Sequence, residues 1–91
     1  MRSIPLNNAS IYDHFLIDLK NNIFVTIYKI ENRFAFRYIS AQNYNEISDP
    51  INKSNKYNWA WGPYTSANIA EQESRLYYLT NGYNYLFDEV K

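Results

Sequence analysis

The chain has 91 residues, 46% of them hydrophobic and 19% aromatic, with nine basic and nine acidic side chains that cancel to a formal charge of zero. That length fits one domain, 1–91, and the apolar content excludes a disordered chain. Balanced charge argues against a general polyanion binder, and the absence of cysteine excludes disulfides, thiol nucleophiles and cysteine-rich zinc sites.

Residues 1–9 read as an irregular lead-in. Polar Asn7-Asn8 follows Pro5 where a signal peptide would carry an apolar run. No stretch approaches the roughly 20 apolar residues that cross a bilayer, so a cytoplasmic location without membrane contact is expected.

Ser10-Ile11-Tyr12-Asp13 has the form of a capping box, with Asp in the position more often held by Glu. Ile11, Phe15 and Leu19 recur at helical spacing, and Tyr12 and Leu16 widen the stripe. Lys20 suits a helix C-terminus, and Asn21-Asn22 ends the element. The spacing predicts a helix over 10–20.

The stretch 23–39 is the centre of the chain. Two runs crowded with β-branched and aromatic residues flank a short polar break, Glu31-Asn32, which predicts an antiparallel hairpin. Centring the turn there pairs Ile27 with Phe36, Val25 with Tyr38 and Lys29 with Phe34. One face then carries Ile23, Val25, Ile27, Phe34, Phe36 and Tyr38, and is the core. The other carries Phe24, Thr26, Tyr28, Ile30, Arg33, Ala35, Arg37 and Ile39, and is expected to be partly wet. A one-residue slip would exchange the two faces.

From 40 to 57 the residues are mostly polar and show no period, which predicts a long loop, either without regular structure or holding one short turn of helix or an edge strand. Tyr57, Trp59 and Trp61 alternate with small or polar residues as in a half-buried strand, and Gly62-Pro63 closes it with a turn. Thr65 or Ser66 caps a second helix, with Ile69, Ala70, Glu73, Leu76, Tyr77 and Thr80 on its inner side and Asn81-Gly82 at its end. Alternation of Tyr83, Tyr85 and Phe87 favours a last strand over 83–87, with a continued helix as the alternative; the edge of such a strand would suit pairing across a two-fold axis. The order is α-β-β-loop-β-α-β, an α+β fold with a small antiparallel sheet and two helices.

Chemistry-bearing residues are sparse. His14, the one histidine, has Asp18 four residues on and Ser10 close by, but a triad is ordinarily assembled from separate loops. Glu71, Glu73, Asp88 and Glu89 fit a solvated helix start and tail better than an acid–base pair. No catalytic residue, metal site or cofactor is assigned, and no enzymatic activity is expected.

Binding is the better reading. Phe24, Tyr28, Arg33 and Arg37 would share the outer hairpin face, a stacking platform for single-stranded nucleic acid if exposed. Trp61 and Tyr64 beside Gly62-Pro63 would form an aromatic contact surface. The run Trp61-Gly62-Pro63-Tyr64-Thr65-Ser66, with Ala70 beyond it, resembles the strand–Gly-Pro-aromatic–Ser/Thr–helix corner of SPOR domains, which bind peptidoglycan glycan strands. That resemblance is confined to this corner and implies a glycan ligand. A Tyr-rich, charge-balanced surface suits recognition of another protein before either alternative. Small single-domain proteins without catalytic apparatus are common among the inhibitors of phages and mobile elements, anti-CRISPR proteins included. On that analogy the chain would occlude a partner's working surface.

Overall fold

A computed structural model of the chain describes residues 2–40 and 59–81. Most of the predicted 40–57 loop, the strand start at Tyr57 and the predicted strand over 83–87 lie outside the described residues. The architecture is α+β: five antiparallel strands in the order β1-β5-β4-β3-β2 and one helix. The strands are β1 (Arg2–Pro5), β2 (Ser10–Asp18), β3 (Ile23–Ile30), β4 (Arg33–Ser40) and β5 (Trp59–Tyr64). The helix, α1, spans Ala67–Asn81.

The hairpin β3–β4 has the register read from the sequence. Ile27 opposes Phe36, Val25 opposes Tyr38 and Lys29 opposes Phe34. The two-residue turn places Glu31, at φ 56°, in the left-handed region. Ile23, Val25, Ile27, Phe36 and Tyr38 line one face and pack with Trp59, Trp61 and Ala70 in the main core.

The opposite face is dry over its middle and wet only at its margins, where Arg33 is exposed and Phe24 and Ile30 are half-buried, so the expected partly wet surface is confined to the rim. Thr26, Tyr28, Ala35, Arg37 and Ile39 are all buried. Tyr28, Ala35 and Ala60 pack with Leu6 and Ala9, and Ile4 and Ile30 border them. The chain's connectivity accounts for this second cluster. β1 and β2 are the two edges of the sheet, yet only Leu6–Ala9 join them. That connection is a turn, with the Ala9 N–H donating to the Leu6 carbonyl at 3.4 Å. A turn of this kind lets Pro5 and Ser10 lie at most about 15 Å apart. A flat five-stranded sheet would hold its edges about 19 Å apart. The sheet therefore curls, and Leu6 and Ala9 fill its hollow. The irregular lead-in predicted for 1–9 is thus an edge strand and a plug; four residues are too few to display a period.

Segment 10–20 is the larger correction: the expected helix is the edge strand β2 and the turn that follows it. Register shifts between Ile11 and Asp13 and between Leu16 and Asp18 mark two bulges in its pairing with β3. Each bulge adds a residue and resets the in–out alternation. What remains in the sequence is an apolar spacing that imitates a helical one. Asn21-Asn22 does end the element, as part of the turn into β3. Asn22 sits at φ 60°, and its N–H donates to the Leu19 carbonyl.

β5 continues through Gly62-Pro63 to Tyr64, so the predicted turn there is strand. β5 lies against β4 closely enough that a Cβ on Gly62 would meet the Phe34 carbonyl oxygen at 3.0 Å and the Ala35 Cβ at 3.1 Å. Ser66 caps α1, its Oγ accepting from the Ile69 N–H at 3.1 Å. The helix lies on the main-core face. It turns Ala70 and Ser74 inward, with Tyr77 and Tyr78 half-buried beside them. Ile69 and Leu76, expected on the inner side, face solvent. The sheet already presents Trp61, Phe36 and Tyr38, and only small residues allow the helix to approach that layer. The Tyr38 hydroxyl donates to the Ser74 carbonyl and fixes the seat.

Candidate binding surface

The six residues expected to bind do not form one surface. Trp61 is at the middle of an aromatic cluster, its ring 5.2–5.7 Å from those of Trp59, Tyr77, Tyr38 and Phe36. It is fully buried and presents nothing to a partner. Tyr28 is buried in the second cluster. Arg37 is also buried: its guanidinium lies over the Trp59 ring at 4.1 Å, and Nη1 donates to the Trp59 carbonyl at 3.2 Å. The covering of both faces of β3 and β4 corrects the expectations for Tyr28 and Arg37, and the packing of β5 into the main core corrects that for Trp61.

Phe24 is half-buried and stacks on His14, with ring centroids 4.8 Å apart and planes within 9°. Tyr64 is half-buried and stacks on Phe36. Burial, aided by the charge of Glu73, pushes its hydroxyl up to about 12. Arg33 is exposed. With Tyr28 and Arg37 inside, the four-residue stacking platform on the outer hairpin face is not assembled.

The titratable residues of 10–18 are also separated. On a helix, His14 and Asp18 would be neighbours. On β2 they serve different faces of the sheet. His14 Nδ1 is 3.0 Å from the Thr26 hydroxyl, and partial burial lowers the imidazole pKa against a smaller opposing effect of Asp13. Asp18 accepts from the Tyr78 hydroxyl and from Asn21, at 3.1 Å from its backbone N–H and 2.8 Å from its side chain. These donors, Tyr78 first, hold its carboxyl below the usual range. The Asp18–Tyr78 contact ties the end of β2 to α1. Among the described residues there is no group of three metal-ligating side chains and no helix long and apolar enough to cross a membrane.

The surface that does present apolar groups was not legible as one. It lies along α1 and the adjoining end of β2. Leu79 is 84% exposed, Leu19 79% and Leu76 58%. An open groove of about 240 Å³ runs among Ile17, Arg75, Tyr78 and Leu79. That volume is below the range of roughly 300–1,000 Å³ typical of small-molecule sites, and the groove is shallow. Arg75 is the charged member of its lining. Its guanidinium lies over the Phe15 ring at 4.5 Å, and its Nε is 3.9 Å from a Glu71 carboxylate oxygen. A sequence signal existed: α1 carries two stripes, one of Ala70, Ser74, Tyr77 and Tyr78, the other of Ile69, Leu76 and Leu79. A sheet lined with large aromatics selects the small-residue stripe and leaves the aliphatic one outside.

No protein-family model, no curated protein and no solved structure matches this chain significantly.

Proposed function

We propose that the chain is a small non-enzymatic protein-binding module that acts by covering part of a partner protein. One observation carries the reading: large aliphatic side chains stand in water along α1 and β2 while smaller ones are packed inside. Leu76 and Leu79 are the exposed members of a helix that buries Ala70 and Ser74. Exposing Leu in place of Ala gains nothing for folding, and such ridges beside a groove mark interaction surfaces. The finer form of the reading is an inhibitor of phage or mobile-element type, anti-CRISPR-like in acting by occlusion. It rests on small size and absent catalytic motifs. Single-stranded nucleic-acid and glycan binding remain the alternatives from sequence; with Tyr28, Arg37 and Trp61 buried, no surface observation favours either.

Affinity capture from a lysate of the native host tests the proposal, with wild type and a Leu76→Glu/Leu79→Glu variant run in parallel. Wild type retains a protein that the variant does not, while both keep the same circular dichroism and melting temperature. Identical capture by both sinks this surface as the binding site.

A further inference from the structure

The groove between α1 and β2 has a chemistry that narrows what fits it. Ile17, Tyr78 and Leu79 supply apolar walls and Arg75 the positive charge; the carboxylates beside the groove are already engaged, Glu71 by Arg75 and Asp18 by Tyr78 and Asn21. The Arg75 side chain is 51% exposed, and among the described residues its ion-pair contact is the 3.9 Å approach of Nε to Glu71. The guanidinium carbon lies 4.5 Å from the Phe15 ring centroid, a cation–π contact that restrains the head group beside the groove. A planar fork restrained beside an apolar trough matches a carboxylate next to a large apolar side chain.

From this we infer that the groove docks an acidic amphipathic segment of the partner protein, its apolar side chain among Ile17, Tyr78 and Leu79 and its Asp or Glu carboxylate on Arg75. The inference rests on the protein-binding reading and gives that surface a partner class. A second copy of the chain fits less well. A two-fold axis passing at Arg75 would set two guanidinium groups together.

The test is a selection of random displayed peptides of about 12 residues, the length that three helical turns require. The wild-type chain is the bait, with counter-selection on Leu79→Glu, whose exposed position leaves the fold intact. Enriched peptides are expected to pair Asp or Glu with Leu, Ile, Phe or Trp. Their affinity should fall at least tenfold on Arg75→Gln, the loss of one charge-assisted hydrogen bond, and less on Arg75→Lys. It should also weaken with salt. Basic or purely apolar peptides, or acidic ones indifferent to Arg75→Gln, overturn the inference. Peptides that bind elsewhere overturn the docking inference and leave the binding-module reading standing. No enrichment overturns it too, and host capture then judges the module by itself. Concentration-dependent dimerisation abolished by Leu79→Glu would make a second copy the occupant and overturn the inference as well.

Discussion

β3 and β2 lie side by side, both rich in β-branched and aromatic residues, yet they obey different rules. β3 is flanked on both sides by strands and covered on both faces. Its residues alternate without interruption, and its register with β4 is continuous over eight pairs. β2 is an edge strand with one neighbour, two bulges and mostly exposed or half-buried side chains. The lesson is that burial on both sides enforces periodicity, and an edge is free to lose it. Bulges also give β2 a poor template for further strands, a common way of protecting an edge. The exposed leucines Leu76 and Leu79, with Arg75, lie on α1 beside this edge strand.

The sharpest break of this comparison is truncation at the centre. Phe36→Ala removes a fully buried ring that touches Trp61, Tyr38 and Tyr64, and should cost about 3–5 kcal/mol in denaturant unfolding. Leu16→Ala, on the bulged edge, should cost under about 1 kcal/mol. Equal losses would mean that β2 is as deeply set as β4. Next in size is Gly62→Ala. The new methyl meets the backbone of β4, and the melting midpoint should reflect a loss of about 1–3 kcal/mol. An unchanged midpoint would show that β5 can move away from β4 freely.

The smallest effect belongs to His14. Its folded pKa is depressed below 6.5 by burial. The unfolded chain therefore binds more protons in the window just under that value. The stability contributed by the neutral ring is fully present above 6.5 and lost as pH falls through the window toward the folded pKa. Thermal melts should show this slope in wild type and a flatter one in His14→Gln. Asp18 has the same sign in a separate, more acidic window below 3.8, so the two are distinguishable. A wild-type stability that rises on acidification from pH 6.5 would contradict the packing of His14 against Phe24.

Some of this molecule could be read before any coordinates. Residues 23–39 determined a hairpin, its turn at Glu31-Asn32 and the residues sharing each face, because a two-residue turn and a period of two leave one consistent register. Thr65-Ser66 likewise announced the start of α1, and the structure selects Ser66 as the cap. Burial did not follow from the same information. Whether Tyr28 faces water depends on Leu6 and Ala9, which are distant in sequence and arrive only because the sheet curls, and whether Arg37 does depends on Trp59, 22 residues away. Which stripe of α1 turns inward depends on the size of the aromatic layer beneath it. β2 was misread because bulges are a property of pairing with a neighbour, and a single strand carries no record of them. Local pattern therefore settled the central elements, and long-range packing alone decided which side chains remain outside.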